Sequence, residues 1–494
     1  MKKYLIYANT GLSSKQVGLT AEYIQNCKLD NIALKIVMCD NVLENCYFNP
    51  LHNSIACASC QSRSMQLLKQ IGISPKDIIN LEKNIIDINI PVFNNRNEIL
   101  DYNYEGINIG RGVASSIISY YRDYHLSTDK YKDIIELELK KSINVLHNFK
   151  KIINKEKPYK VVFFNGRFSE IYPLYDYCTQ NNINYTSIEG GANNGYELYD
   201  NSLPQSIKYR HKSTLELWEK EKNIEKKKEI AHTWFKKKRN RDDSIERSFT
   251  KNQELNSLPK NFDPNKTNIL ILNSSEDEVK TIEEFQTDLY DTQNEAINKI
   301  VAHFSKNTNF HIYLRVHPNL GKVKNIQIEE IGKMKSNNLT IIGPNENIDT
   351  YAIIDNCDKT IVFGSTTGIE ATYWGNASIL LGKSYYFYLE NTCYKPQSFE
   401  ALYELLKTKD LKAKSQEACL PYGYYYSTYG VQTQHFNYDG LNNSTFKGKK
   451  MRKWYFSSFF YLFRYILKPN KWKKAYKAVT GNSLKMSDIL RFKI

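Results

Sequence analysis

Two short stretches of this chain combine residue types that could hold an anion. The first is Gly364-Ser365-Thr366-Thr367-Gly368, three hydroxyl side chains between two glycines. It follows the apolar run Thr360-Ile-Val-Phe363 and precedes Ile369-Glu-Ala-Thr-Tyr-Trp374, so it reads as a strand–turn–helix junction. The first turn of a helix carries unsatisfied N–H groups and a partial positive charge. Glycine lets an anion approach the backbone, and hydroxyls add donors. The same residue types also cap helices with no ligand present, so the loop alone is equally a capped helix. The second stretch is Tyr313-Leu314-Arg315-Val316-His317-Pro318-Asn319. Pro318 has no N–H for a ladder, so a strand here stops by His317. Arg315 and His317, two residues apart, share one face of that strand. Both can donate to phosphate oxygens, and Arg can do so bidentately. A lone His-Pro reads as a turn with a solvent-facing histidine. Two such stretches in one α/β segment favour a phosphate clamp built from Arg315, His317, Ser365, Thr366 and Thr367.

Taken together, Arg315-Val-His317-Pro318 and Phe363-Gly-Ser365-Thr366-Thr367-Gly-Ile-Glu370-Ala resemble the donor lobe of bacterial capsule and lipopolysaccharide glycosyltransferases. More broadly they are similar to the HP and Ser/Thr motifs of GT-B enzymes that use CMP- or CDP-activated donors. Those include capsular Kdo transferases, bacterial sialyltransferases and teichoic-acid glycerophosphotransferases. The resemblance implies that His317, Ser365 and Thr366 hold the donor phosphate. It also implies that Glu370 contacts the donor ribose, like the helix glutamate of related GT-B folds, UDP-GlcNAc 2-epimerase among them. It covers about residues 265–400 and does not fix the sugar. A weaker likeness lies at Asn165-Gly166-Arg167, which resembles an Asn-Gly-Arg turn in the first lobe of capsule-type proteins.

Transfer to a sugar hydroxyl needs a group that takes its proton. Glu189, before Gly190-Gly191, follows the strand-like run Asn184–Ile188, and two glycines after a carboxylate have no local structural explanation. Glu276 and Asp277, in Asn273-Ser-Ser-Glu-Asp-Glu278, follow another strand-like run, although acids there also suit a capped helix start. Glu189 is preferred as base over Glu276 and Asp277. Asn165 and Arg167 sit at a strand end and could hold acceptor or donor. Cys57-Ala-Ser-Cys60 has metal-ligand spacing, but the upstream Cys39 and Cys46 lie too far apart to complete a four-cysteine zinc site. A helix-start cysteine pair is expected there, and no metal.

The elements that must position these residues follow from periodicity. Strands are expected at Lys3–Ala8, Ile32–Met38, Lys160–Phe164 and Asn184–Ile188, with helices at Ser14–Cys27, Met65–Ile71 and Phe168–Gln180. A second alternating series starts at Thr267, with strands at 268–273, 310–316, 339–342, 359–363 and 378–381. Its helix Asp291–Phe304 places Ile297, Ile300, Val301 and Phe304 on one face. Strands alternating with helices imply parallel sheets. The expected fold is therefore α/β with two Rossmann-like lobes of GT-B type, a charged helical linker and a basic, aromatic C-terminal helical tail. The expected segments are an acceptor lobe at 1–215, a linker at 216–262 with an exposed helix or helix pair, a donor lobe at 263–405, a return segment at 406–445 and the tail at 446–494.

Length and charge narrow the function. At 494 residues the chain exceeds one ordinary core. The formal net charge is +15, but residues 446–494 hold 14 Lys and Arg against Asp488 alone, a net +13 that leaves +2 for the rest. A nearly neutral body with a basic tail argues against a nucleic-acid enzyme. In the tail, Phe456, Phe459, Phe460, Phe463 and Leu467 share one helical face between Lys- and Arg-rich flanks, a pattern suited to an anionic membrane surface. The alternative is a C-terminal helix packed back on the first lobe. No run of about 18 apolar residues is present, and the N-terminus reads as a strand, not a signal peptide. The nine cysteines are expected as free thiols in a reducing cytoplasm.

The reading is a metal-independent glycosyltransferase of surface-polysaccharide assembly, peripheral on the inner face of a bacterial plasma membrane. It would use a nucleotide-sugar as substrate, with CMP-linked donors in view, a glycan or lipid-linked glycan acceptor, and neither a cofactor nor nucleic acid. Two rivals stay open: a nucleotide-sugar 2-epimerase on the same fold, and a non-catalytic polysaccharide-assembly protein that binds no nucleotide.

Overall fold

The computed structural model describes residues 2–242, 248–322 and 324–451. The described chain divides into two compact units, one of residues 2–85, 148–164 and 433–451, the other of 86–147 and 165–432. In the first unit, β1 (Lys3–Tyr7), β2 (Ala33–Met38), β3 (Ile78–Asn80) and β4 (Lys160–Phe164) run parallel in the order β3-β2-β1-β4. Leu5, Ile6, Ile36, Val37, Val161 and Val162 are wholly buried. Strands covered on both faces read as continuous apolar runs, which is why periodicity located β1, β2 and β4 and missed the short, partly exposed β3. The helix expected at Met65–Ile71 begins earlier, at Ser54. There the Asn53 side chain accepts the N–H groups of Ile55 and Ala56, and left-handed Gly72 ends the helix. Cys57 and Cys60 lie inside it as thiols, neither joined in a disulfide. Among the described residues no group of three His, Cys, Asp or Glu side chains could hold a metal ion.

The chain returns to this unit after residue 432. The fully buried Glu22 carboxylate accepts the backbone N–H groups of Gln434, His435 and Phe436 at 2.8–3.0 Å and so anchors the returning strand.

The second unit contains the antiparallel pair β5 (Tyr185–Gly190) and β6 (Tyr196–Asp200). It also contains five parallel strands: β7 (Thr267–Leu272), β8 (Phe310–Arg315), β9 (Leu339–Ile342), β10 (Lys359–Val362) and β11 (Ala377–Leu380). Their order is β9-β8-β7-β10-β11. That is the doubly wound order 3-2-1-4-5, whose direction reverses between β7 and β10. Two parallel, Rossmann-like sheets give the α/β fold expected from the sequence. The helix Gln293–Phe304 buries Ile297, Ile300, Val301 and Phe304 against β7, β8 and β10, as its periodicity required.

The charged stretch after residue 215 corrects one expectation. It does hold a helix pair, Ile207–Lys220 and Ile224–Arg239. The second helix is not an exposed connector. Ala231, Trp234 and Phe235 are buried in the same core as Leu270, Leu272, Tyr313 and Val362. Phe235 stacks on Tyr373 with centroids 3.9 Å apart. Three apolar residues at i, i+3 and i+4 suffice for a buried stripe, and the charge around them masked it.

Among the described residues no helix is long and apolar enough to cross a membrane. The amphipathic stretch expected at 454–467 lies outside the described residues.

Candidate functional site

A cleft of about 390 Å³ opens in the second unit at the carboxyl ends of β7, β8 and β10. Open α/β sheets bind ligands at that edge, where the strand order reverses. The residues of both stretches singled out in the sequence line it: Arg315, His317 and Pro318 at the end of β8, and Gly364 to Thr367 and Glu370 after β10. The sequence placed these residues some fifty positions apart, and the sheet brings them to one cavity. Its wall carries two cations, Lys238 and Arg315, and three carboxylates, Asp242, Glu278 and Glu370. Any anion held here therefore depends on neutral donors as much as on cationic charge.

The Gly364–Gly368 turn leads into the helix Thr367–Tyr373. Its carbonyls are tied down: Ser384 Oγ donates to Gly364 O at 3.0 Å and Tyr386 Oη to Ser365 O at 2.7 Å. Ser365 Oγ lies 2.9 Å from Thr367 Oγ1 and accepts the Thr367 N–H at 3.2 Å. Thr366 Oγ1 donates to Glu370 at 3.1 Å. The buried Glu370 carboxylate also accepts from the Tyr351 hydroxyl. Gly368 has no room for a side chain: a Cβ there would meet Tyr386 Oη at 2.4 Å and Val362 Cγ2 at 2.5 Å. The loop thus packs directly on the core, and glycine permits the close approach.

His317 and Arg315 part company. The Asn319 N–H points at His317 Nδ1 at 3.2 Å, so Nδ1 is the acceptor and the neutral ring carries its proton on Nε2. Burial, with Arg315 nearby, pushes the His317 value down to about 4, which keeps the ring neutral at pH 7. Its backbone N–H donates to Asn273 Oδ1 at 2.8 Å, and its ring packs on Phe249 with centroids 5.0 Å apart. Arg315 lines the cleft with the fork expected for a phosphate partly engaged. Its Nη1 donates to Gly343 O at 3.1 Å and its Nη2 to Glu346 O at 2.9 Å. One N–H of each terminal nitrogen is taken by the 343–346 loop, the second N–H of each is left for a ligand, and Nε has no partner among the described residues.

The candidate bases also separate. Glu276 is buried, accepting the Gln293 N–H at 2.9 Å with Lys280 Nζ at 3.5 Å, and it does not line the cleft. Burial pushes its carboxyl up to about 7 against the opposing pull of Lys280. Asp277 is buried too and pairs with Arg122, away from the cleft lining. Glu278, the third member of that triplet, is the one that faces the cleft. Desolvation of its carboxyl against the cleft wall raises it, although the residue as a whole is exposed, and Asp277 raises it further. Glu189 and Asn165 do meet: Asn165 Nδ2 donates to Glu189 Oε2 at 2.7 Å, and the Gly190 N–H to Oε1 at 3.0 Å. Asn165 and Gly166 both take positive φ, which turns the chain so that Arg167 Nη1 reaches Glu278 O at 2.6 Å. Tyr385, whose hydroxyl burial raises, feels the charges of Arg210, Glu189, Arg167 and Glu278, so these groups form one neighbourhood beside the cleft.

A third wall went unnoticed in the sequence. Lys238, Asp242, Ser248, Phe249, Thr250 and Gln253 line the cleft from the charged stretch. Arg241 fixes this wall by donating to Gln253 O and pairing with Asp349 at 3.0 Å. The Glu254 N–H donates to Asn347 O at 2.7 Å and the Thr350 N–H to Gln253 Oε1 at 2.9 Å. The buried stripe of Ala231, Trp234 and Phe235 was the one available signal that this stretch belongs to the core beneath the cleft.

No family model matches the chain, and no curated protein matches it in sequence. Among solved structures it is similar to the Thermosulfurimonas dismutans KpsC beta Kdo 2,4 transferase, at 14 % identity over 54 % of this chain and 79 % of that one, with a TM-score of 0.35. It is also similar to S. aureus MnaA in its UDP co-structure, at 13 % identity over 86 % and 94 %, TM-score 0.27. A third is the Methanocaldococcus jannaschii UDP-GlcNAc 2-epimerase in complex with UDP-GlcNAc and UDP, at 12 % identity over 85 % and 98 %, TM-score 0.26. Likeness at this level leaves the chemistry of the cleft to be read from its own residues.

Proposed function

We propose that this protein is a glycosyltransferase that moves a sugar from a nucleotide-activated donor to a capsule or lipopolysaccharide acceptor. The observation that carries the reading is the convergence of His317, Ser365, Thr366, Thr367 and Glu370 on one cleft at the sheet's switch point. The donor phosphate lies against the hydroxyl loop, with the neutral His317 Nε2–H as a further donor. Glu370, already positioned by Tyr351 and Thr366, keeps lone pairs for ribose hydroxyls. In the transfer, the bond from the anomeric carbon to the phosphate oxygen breaks, and its electron pair leaves with the nucleotide. The acceptor oxygen bonds to that carbon and yields its proton to a carboxylate. Glu189 fills that role in this reading, with Glu278 as the alternative on the cleft wall. Donors aimed at the departing phosphate oxygen stabilise the charge that develops there. They give the reaction a route that needs no metal.

The test is direct binding of CMP-, CDP-, UDP- and GDP-sugars to the full chain, followed by the same titrations on His317→Ala. At least one donor is expected to bind, and the variant to weaken it tenfold or more. Failure of all four to bind would sink the enzyme reading and favour an assembly protein. Turnover of a free UDP-N-acetylhexosamine without any acceptor would favour the 2-epimerase instead.

Membrane association is a separate proposal, drawn from the basic, aromatic tail. A protein ending at Met451 should lose sedimentation with phosphatidylserine-containing vesicles, while the full chain should keep it at low salt. Equal binding by both would reject the tail as the anchor.

A further inference from the structure

Three side chains that line the cleft carry a buried donor with no partner among the described residues: Gln253 Nε2, Asn273 Nδ2 and Arg315 Nε. Each is fixed from its other end. Gln253 Oε1 accepts the Thr350 N–H at 2.9 Å, Asn273 Oδ1 accepts the His317 N–H at 2.8 Å, and the Arg315 terminal nitrogens are held by two carbonyls. Neither amide can be flipped, because flipping would turn an NH₂ onto a backbone N–H. All three orphans are donors and none is an acceptor. The ligand surface they fit therefore presents acceptors.

Position divides them. Asn273 is bonded to His317 and belongs to the phosphate end of the cleft. Gln253 is bonded to Thr350, whose neighbour Tyr351 holds Glu370, so it belongs to the nucleoside end. Its backbone is braced by Arg241 on its carbonyl and by the Glu254–Asn347 hydrogen bond beside it. A donor on so fixed a wall cannot swing away from a mismatched ligand.

We infer that Gln253 is the residue that reads the nucleobase, its Nε2–H donating to a ring carbonyl, so that the cleft selects carbonyl-bearing bases over adenine. This assignment rests on the nucleotide-sugar reading of the same cleft and adds to it the class of base. A site built to hydrogen-bond one group discriminates strongly against an analogue that lacks it, since the buried donor is then left unmet. Cytosine, uracil and guanine each carry a ring carbonyl, and adenine carries none.

The experiment measures Kd for CMP, UMP, GMP and AMP on the full-length protein, on Gln253→Glu, on Gln253→Met and on His317→Ala. In the wild type, at least one of CMP, UMP and GMP should bind tenfold or more tighter than AMP. Gln253→Glu keeps an acceptor for the Thr350 N–H but turns the reading donor into an acceptor, so this discrimination should collapse to within about threefold. Gln253→Met, which removes the donor without adding charge, should collapse it as well and covers the case in which the glutamate variant folds poorly. His317→Ala should weaken all four and leave their ranking intact. Wild-type protein that binds AMP as well as the others, or a ranking that survives both Gln253 variants, overturns the assignment while leaving the nucleotide reading in place. Binding of none of the four overturns the assignment and the nucleotide reading together.

Discussion

The Gly364–Gly368 turn and the wall made by Lys238, Asp242, Phe249 and Gln253 border the same cleft but are built by opposite means. The turn is local: one strand, five residues and one helix bring its hydroxyls to the carboxyl edge of the sheet. The wall is assembled at long range. It depends on Trp234 and Phe235 entering a core made by β7, β8 and β10, and on Arg241 reaching Asp349. A local site should fail when its own backbone is disturbed. An assembled one should fail when a distant core contact is removed.

The largest expected effect tests the wall. Trp234 is among the largest fully buried side chains and packs on Phe235 and Tyr422. Trp234→Ala should destabilise the protein by about 3–5 kcal/mol, the usual cost of emptying so large a core volume. Urea unfolding followed by tryptophan-independent circular dichroism measures it. If the loss is below about 1 kcal/mol, the Ile224–Arg239 helix is not what holds the wall, and the contrast with the turn disappears.

The turn should break with a much smaller change. Gly368→Ala adds one methyl group, but that carbon would overlap Tyr386 Oη and Val362 Cγ2. Overpacking of this kind costs about 1–3 kcal/mol. Because Tyr386 also pins Ser365 O, the strain should pass into the hydroxyl loop and cut nucleotide-sugar affinity by more than tenfold in protein that is still folded at 20 °C. Gly375→Ala serves as the comparison. It carries φ +92, but a Cβ there meets nothing within 4 Å, so it should cost stability without moving affinity. Equal effects of the two variants on binding would mean that the Gly368 contact does not shape the site.

The same contrast explains what could be read from the sequence. The five strands β7 to β11, and β1, β2 and β4 of the other sheet, were legible because doubly covered strands are continuous apolar runs, whereas the short, partly exposed β3 and the antiparallel β6 were not. His317 and the Ser365–Thr367 hydroxyls were legible because proline and glycine mark where the backbone must stop and turn. Arg315 lines the cleft, but the sequence does not show the 343–346 carbonyls that take one N–H of each of its terminal nitrogens. In the 276–278 triplet the strand end was located, while which carboxylate faces the cleft depends on the Lys280 and Arg122 side chains and the Gln293 backbone N–H, which come from different segments. Gln253 left no local signal. Its place is set by Thr350, about a hundred residues later, and a charged, glycine-free stretch reads as a solvated helix until its core partners are known.

The smallest expected effect concerns protons, and it sharpens what the turn's partner does. His317 is held near pKa 4 by burial and by Arg315, well below the ordinary histidine value of about 6.5. Above pH 6 it is neutral and donates through Nε2–H alone, because Nδ1 is occupied by the Asn319 N–H. A charged histidine at its ordinary value would make anion affinity fall by about twentyfold between pH 6 and pH 8, as the protonated fraction drops. Here the affinity for a nucleotide-sugar, whose esterified phosphates do not titrate in that range, should change less than about twofold through this residue. Glu278 lines the same cleft with a raised carboxyl, so Glu278→Gln is measured alongside to keep its titration separate. A steep fall with rising pH that persists in Glu278→Gln and vanishes in His317→Asn would show that His317 binds as a cation. The hydroxyl loop would then be the secondary element of the clamp.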